Sequence, residues 1–292
     1  MTKLFQIITD SSCDLPQSLA DELDLRVLPL HVTIDGKTYN NYLDGREIAF
    51  KDFFDKLRAG SQGTTSAVNP EEFRAEMEPV LAAGLDVLYV GFSSGLSTTY
   101  QSGCIAADEL REKYPERKIL TIDSLGASLG EGLYVYLAAK KQQSGATIEE
   151  TYDYLMQTRP HLCHWFTVND LMHLKRGGRV SATAALLGTM LQIKPVMHMD
   201  DEGHLIPVSK ARGRVKSIAE TVALALKQVQ GNAKYCIAVA NGSAREEAAK
   251  LAQELRQRLP DAQLFLECEV SPALGVHTGP GLLGIGVQVV EG

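Results

Sequence analysis

The 292-residue sequence lacks any run of 18 apolar residues, so it predicts no membrane-spanning helix. It also lacks a basic excess: 29 lysines and arginines stand against 36 aspartates and glutamates, giving a formal net charge of −7. A general nucleic-acid-binding protein needs a basic surface to displace counterions from phosphates, so this class is disfavoured. The five cysteines are widely spaced and contain no Cys-X-X-Cys pair, which is typical of reduced thiols in a cytoplasmic protein.

Several cofactor motifs are missing as well. The sequence has no Walker A motif and no Gly-X-Gly-X-X-Gly after its first apolar segment, which disfavours a self-contained ATP or NAD enzyme. Its one His-X-X-His pair, His161 and His164, is not accompanied by an acidic cluster at metal-ligand spacing, so no metal cofactor is expected. The apolar segment near the N-terminus is too short for a signal peptide, and we interpret it as a first strand.

Apolar segments with strand character alternate with helical patterns along the whole chain. Examples of strands are Leu85–Phe92 and Lys118–Asp123, and Pro195–Met199 with His204–Val208 is expected to form a hairpin. This alternation predicts an α/β fold of two lobes with mostly parallel sheets. We place the lobes at residues 1–160 and 161–292, and the last strand could belong to either.

Two hydroxyl-rich loops precede predicted helices. The segment Ser93–Thr99 follows a buried strand directly, and five of its seven residues carry hydroxyl groups. Ligands of open α/β sheets bind at this edge, where free backbone N–H groups of a helix start favour an anion. The second loop, Thr64–Ser66, has the same character, although a simple turn and helix cap would also explain it.

Gly91–Gly95 also matches Gly-X-Ser-X-Gly, the nucleophile elbow of α/β-hydrolases, with Ser93 as the nucleophile. A serine esterase is therefore an alternative interpretation. Against it, no upstream oxyanion segment is present, and no late strand ends in an aspartate that a histidine follows.

Two further segments carry candidate functional residues. The segment Leu174–Ser181 is the densest basic cluster, and Lys175, Arg176 and Arg179 could bind an anionic partner or simply end a helix. His277 lies among three glycines that permit close backbone approach, so it is a candidate site residue rather than a core histidine.

Taken together, these segments resemble the DegV family, whose better-understood members are the fatty-acid-binding subunits of a bacterial fatty acid kinase. The resemblance runs nearly end to end, and two departures are Thr98 and the loop Ala67–Asn69. The matching segments are Ile8–Pro16, Thr64–Ser66, Ser93–Ser102, Ile122–Ser124, Asp170–Ser181, Ile193–Val196 and His277–Gly281.

The resemblance implies a lipid buried between or within two α/β lobes. It implies that Thr64 and Ser94 hold the fatty-acid carboxylate, with His277 near the head group. The residues expected beside them are Thr65, Ser93 and Ser97.

It further implies that Arg179, with Lys175 and Arg176, engages a kinase partner that supplies ATP and forms an acyl phosphate for phospholipid synthesis. The chain itself would then be a carrier rather than an enzyme. The expected ligand is a long-chain acid such as hexadecanoate, with the apolar segments Ala182–Leu191 and Leu282–Val287 as candidates for the tail lining. Membrane contact would be transient at most, and a lipid sensor without a kinase is a further alternative.

Overall fold

The computed structural model describes residues 4–181, 193–231 and 234–291. Their strands form three sheets, and the fold is of the α/β class that the sequence predicts. The strands are β1 (Phe5–Asp10), β2 (Arg26–Leu28), β3 (Leu30–Ile34), β4 (Lys37–Asn41), β5 (Gly63–Ser66), β6 (Asp86–Gly91), β7 (Ile119–Asp123), β8 (Leu162–Thr167), β9 (Ile193–Met199), β10 (Leu205–Arg212), β11 (Lys234–Asn241), β12 (Leu264–Glu269) and β13 (Leu283–Glu291). The α-helices are α1 (Gln17–Glu22), α2 (Phe50–Arg58), α3 (Pro70–Ala82), α4 (Thr99–Lys113), α5 (Leu129–Gln143), α6 (Ile148–Thr158), α7 (Met172–Arg176), α8 (Arg214–Val229), α9 (Arg245–Arg258) and α10 (Pro272–Thr278).

The first sheet has the order β2-β1-β6-β7, and all its strands are parallel. Every residue of β1 is buried, as expected of a central strand covered on both faces. The next segment starts with Asp10, whose side chain caps the short 3₁₀ helix Ser11–Cys13. The chain therefore turns immediately after β1.

The second sheet is small and antiparallel, with the order β4-β3-β5. The β3–β4 connection is the turn Asp35-Gly36, and both residues have positive φ, as a two-residue hairpin turn of type I′ requires. The predicted Thr64–Ser66 loop is part of β5, which pairs with β3.

The third sheet has the order β10-β9-β8-β13-β11-β12, and only its β11–β12 pair is parallel. The expectation of mostly parallel sheets thus holds for the first sheet and not for this one. The cause is its connectivity: β9 and β10 form the predicted hairpin, and β13 enters between β8 and β11 with the opposite direction. Buried strands have the same apolar pattern in either direction, so composition could not reveal this.

Helix α5 lies between the first and third sheets. It packs on β8, β11 and β13 on one side and on β1 with the Ser11–Cys13 turn on the other. Its buried residues include Leu129–Val135 without a break, because both sides of the helix are covered. The strands of the first two sheets precede residue 124 and those of the third follow residue 161, while the division at residue 160 stays a prediction.

Two properties of the described residues bear on the class of function. In residues 4–181, 193–231 and 234–291, no helix has the length and apolar character needed to cross a membrane. The same ranges contain no group of three or more histidine, cysteine, aspartate or glutamate side chains arranged to hold a metal ion.

Candidate functional site

A cavity of about 460 Å³ lies where β6, α5, α10 and the third sheet meet, and its size is in the range of small-molecule sites. Most of its lining is apolar, contributed by side chains such as Phe92, Phe166, Leu274 and Leu282. The polar lining residues that bear on the predicted site are Thr65, Ser94, Ser97, Arg179 and His277. The structure therefore brings together residues that are up to 212 positions apart in the sequence.

Thr65 lines this cavity, whereas Thr64 does not. Both lie on β5, where consecutive side chains point to opposite faces. Thr64 is exposed and pairs with Thr33, while Thr65 is half-buried and its hydroxyl lies 2.8 Å from Nε2 of His277. The structure therefore places Thr65, and not Thr64, at the cavity, while the carboxylate contact assigned to Thr64 from the resemblance stays a prediction.

The Ser93–Ser97 loop was predicted to bind an anion through free backbone N–H groups. In the structure these N–H groups already donate hydrogen bonds within the protein. The Ser94 N–H donates to the Asp123 carboxylate, 3.3 Å from each oxygen, and the Gly95 N–H donates to the Ser93 hydroxyl. The Leu96 and Ser97 N–H groups donate to the Ser93 carbonyl. An anion in the cavity would thus be bound by side chains such as the Ser94 hydroxyl, and not by this backbone.

Ser97 and Ser93 have different placements. The Ser97 hydroxyl lines the cavity and lies 2.9 Å from the Thr99 hydroxyl at the start of α4. Ser93 is fully buried, lies outside the cavity lining, and donates its hydroxyl proton to the Gly203 carbonyl at 2.9 Å. A nucleophilic serine has to give that proton to a base, so this geometry does not fit the esterase alternative.

His277 is held between Thr65 and the backbone of Gly177. A Cβ at position 177 would come within 2.1 Å of the His277 Nδ1, so only glycine leaves room for the ring. Nδ1 is buried and makes no hydrogen bond to a described residue. Burial, followed by the positive charge of Arg179, lowers the pKa of His277 to about 4, so the ring is neutral at pH 7.

These contacts define which nitrogen of His277 carries the proton. The α-hydrogen of Gly177 occupies the position of the missing Cβ and points at Nδ1, which leaves no space for a second hydrogen there. The neutral ring therefore carries its proton on Nε2 and donates it to the Thr65 hydroxyl. Thr65 keeps its own hydroxyl proton for a ligand.

Arg179 is a residue of the site itself rather than of the outer surface. The two glycines after α7 turn the chain back, and the half-buried guanidinium lines the cavity, with Nε donating to the Leu96 carbonyl at 3.1 Å. Its other recorded acceptor is the Gly177 carbonyl. Lys175 and Arg176, predicted to share its role, are exposed instead.

No carboxylate faces this guanidinium from the described lining. Among the described residues that line the cavity, Arg179 is the only arginine or lysine, and none is an aspartate or a glutamate. Burial lowers the pKa of Arg179, because a charge without a partner is costly away from water. The described lining of the cavity thus combines a mostly apolar wall with one positive charge and no carboxylate.

The tail lining was predicted in part. Leu282, Gly284, Ile285 and Gly286 line the cavity, as expected for the Leu282–Val287 segment. The other expected segment, Ala182–Leu191, lies outside the described residues.

The first turn of α5 was missed, although Leu129 and Gly130 line the cavity. The alternating glycines at 284 and 286 are the sequence signal that could have pointed to this wall, because they leave one face of β13 without side chains.

A family model described as "Uncharacterised protein, DegV family" matches residues 4–289. The chain belongs to the DegV family. A DegV domain-containing protein of Clostridium perfringens is 40% identical over 283 residues, with 97% of each chain covered. The family resemblance noted in the sequence is therefore confirmed.

Solved DegV structures have the same fold. A DegV family protein from Thermus thermophilus, described as binding fatty acid, has a TM-score of 0.89 and 32% identity, covering 98% of this chain and 99% of its own. DegV of Bacillus subtilis, described as a fatty acid binding protein, has a TM-score of 0.86 and 27% identity, covering 99% of this chain and 100% of its own. Fatty acid binding is thus the property for which DegV relatives of this chain are described.

Proposed function

We propose that this protein binds a long-chain fatty acid, with the carboxylate at the polar end of the cavity and the acyl chain along its apolar wall. The observation that carries the proposal is the charge of Arg179, which no carboxylate of the described lining compensates, in a cavity whose lining is mostly apolar. A carboxylate would neutralise this charge, and a long hydrocarbon chain would fill the apolar remainder. The fatty acid binding described for the Thermus and Bacillus relatives supports the same ligand class.

The carboxylate is expected to accept hydrogen bonds from the Arg179 guanidinium and from the Thr65 and Ser94 hydroxyls. His277 acts through Thr65, because its Nε2 proton fixes the orientation of that hydroxyl. Each hydrogen bond to the charged group contributes about 1.5–3 kcal/mol. Hexadecanoate, as an example, would gain up to roughly 12 kcal/mol by burying its chain at ~0.8 kcal/mol per CH₂, less the cost of association.

The direct test of fatty-acid binding is whether the purified protein retains a lipid. Native mass spectrometry of the purified protein should show the added mass of a long-chain acid, and delipidated protein should take up hexadecanoate. Protein that is free of lipid and takes up none would refute the proposal.

Adjacent threonines provide a matched pair of variants. Thr65→Ala removes a hydroxyl from the cavity and should weaken hexadecanoate binding by roughly ten- to a hundredfold, as expected for one charge-assisted hydrogen bond. Thr64→Ala removes the same group from the exposed face of β5 and should leave binding unchanged. Equal effects of the two substitutions would contradict the assignment of the site.

We further propose that the bound acid is presented to an ATP-dependent kinase partner that forms an acyl phosphate. The exposed Lys175 and Arg176, close in sequence to Arg179, offer a cationic docking surface next to the carboxylate end of the cavity. The lack of a Walker A motif in this sequence motivates assigning the phosphate chemistry to a partner.

A pull-down with a candidate kinase subunit tests this second step. A Lys175→Glu, Arg176→Glu double variant should keep its fatty acid and lose the partner. If the unmodified protein binds fatty acid but captures no kinase and supports no acyl phosphate formation, the lipid-sensor alternative is favoured instead.

A further inference from the structure

Gly284 of β13 occupies a position that does not require glycine for its backbone conformation. It lies inside the third sheet, between Phe166 of β8 and Ala240 of β11. Its φ angle is not positive, so the backbone is open to a residue with a side chain. Glycine weakens the interior of a strand, because it loses more conformational freedom on folding than other residues do. Its presence here therefore needs another explanation.

Packing does not require glycine at this position either. A Cβ at position 284 would lie 3.5 Å from Cβ of Phe166, 3.7 Å from Cβ of Ala240 and 3.8 Å from Cδ2 of Leu282, its three nearest atoms. These are ordinary van der Waals distances, and none of the three atoms belongs to a helix. All three neighbours line the cavity together with Gly284, so the space that a side chain would occupy belongs to the cavity.

Gly286, the next glycine of β13, has a different environment. A Cβ there would lie 3.3 Å from Cδ1 of Leu133 and 3.6 Å from Cβ of Leu129, both on α5. Close approach of α5 to the sheet thus explains this glycine. The alternate residues Ile285 and Val287 belong to the apolar cluster that β13 forms with α8 and α9, on the opposite face of the sheet.

The surroundings of Gly284 suit a hydrocarbon chain. The three atoms nearest to its missing Cβ are all apolar carbon atoms. Because Gly284 pairs with both Phe166 and Ala240, the three residues form one row across β8, β13 and β11. This row presents an aromatic ring, a hydrogen and a methyl group to the cavity, which makes a shallow groove bounded by Phe166. A chain in this groove would contact the backbone of Gly284 directly.

Building on the fatty-acid binding proposed above, we propose that Gly284 determines which acyl chain lengths the protein binds. The chain passes directly over the Gly284 backbone, and the missing side chain leaves room for it to continue. Gly284 is thus a specificity-determining residue for the tail, with Ala240 beside it in the same row. Neither residue is among those that bind the carboxylate.

The test measures how affinity depends on chain length. Titration calorimetry of the delipidated protein gives dissociation constants for straight-chain saturated acids from octanoate to octadecanoate. Gly284→Ala should leave the affinity for octanoate unchanged. Above one particular chain length, each acid should bind about fourfold more weakly than to the parent, because one methyl group excludes about one methylene group (~0.8 kcal/mol).

Ala240→Val adds two carbon atoms in the same row, so its loss should be about fifteenfold and begin at the same chain length. It leaves β13 unchanged and keeps the test decisive if Gly284→Ala fails to fold. Val287→Ile is the matched control, because it adds one carbon atom to the same strand on the opposite face. It should leave the affinity for every acid unchanged.

Three results would overturn the inference. They are affinities equal to those of the parent at all lengths, an equal loss at every length, and losses that begin at different lengths in Gly284→Ala and Ala240→Val. If none of the acids binds the unmodified protein, the proposed function fails instead.

Discussion

Glu131 on α5 is fully buried, and its environment predicts an unusual response to pH. Its Oε2 lies 2.6 Å from the Ser12 hydroxyl, and the same hydroxyl lies 2.5 Å from Oδ1 of Asp10. Ser12 has a single hydroxyl proton and can donate to only one of the two acids. The other short contact requires a protonated carboxyl group that donates to the Ser12 oxygen.

Glu131 is the group that holds this proton. Asp10 accepts hydrogen bonds from the Ser12 and Phe92 N–H groups and from the Tyr89 hydroxyl, all of which favour its charged form. Among the described residues, the hydrogen-bond partners of Glu131 are only the Ser12 and Thr9 hydroxyls. Burial, followed by the charge of Asp10, raises the pKa of Glu131 well above its ordinary value.

The sign and size of the effect follow from proton release on unfolding. An unfolded glutamate has a pKa of about 4.3, so above that pH unfolding releases a proton that the folded protein retains. Folding stability then falls as the pH rises, by about 1.4 kcal/mol per pH unit for one retained proton, until the raised pKa is reached. Glu131→Gln supplies a permanent N–H donor to Ser12 and removes this dependence.

We therefore expect the difference in free energy of unfolding between Glu131→Gln and the parent to change by about 1.4 kcal/mol in favour of the variant when the pH rises from 5 to 6. Urea denaturation at pH 5, 6 and 7, followed by circular dichroism, measures this difference. Glu116→Gln makes the same chemical change at an exposed position and should leave the parent's pH dependence unaltered. Parallel curves for Glu131→Gln and the parent, or a growing advantage of the parent at higher pH, would refute the proton assignment.

Two further predictions concern the carboxylate end of the cavity. Gly177→Ala would bring a methyl group within 2.1 Å of the His277 Nδ1, so it should displace the ring and lower retention of fatty acid in native mass spectrometry. Gly178→Asn, at a left-handed position with open space around it, should retain the ligand, and equal loss in both variants would contradict the packing argument. Arg179→Met should raise the pKa of His277 in delipidated protein by removing a nearby positive charge, while burial keeps it below the ordinary value of about 6.5. NMR titration of the imidazole signals measures this shift, and an unchanged pKa would show that the two side chains do not interact.

The sequence predicted the fold class, the hairpin of the third sheet and the segments that build the cavity. The resemblance pointed to Thr64, whereas Thr65 lines the cavity, because the placement depends on which face of β5 packs inward. That face is determined by pairing with β3, and a strand of four residues gives too little alternation to show it.

Other parts of the site depend on contacts between distant segments. The Ser94 N–H was expected to be free, and Asp123 from the next strand occupies it. Arg179 was expected from the family resemblance to engage a partner, and its guanidinium also donates to the Leu96 carbonyl 83 positions away. Neither contact has a local sequence signal, so residue type and spacing alone could not reveal these two hydrogen bonds.

The position of β13 has a consequence for biosynthesis. This strand is the last of the described strands to leave the ribosome, yet it fills the middle of the third sheet, between β8 and β11. Until it is made, those two strands present unpaired edges, and the cavity lacks the wall that Leu282, Gly284 and Gly286 provide. A nascent chain halted before residue 283 should therefore expose the unpaired edges of β8 and β11 to chaperones. It should also be unable to take up a ligand, even when its first sheet is complete.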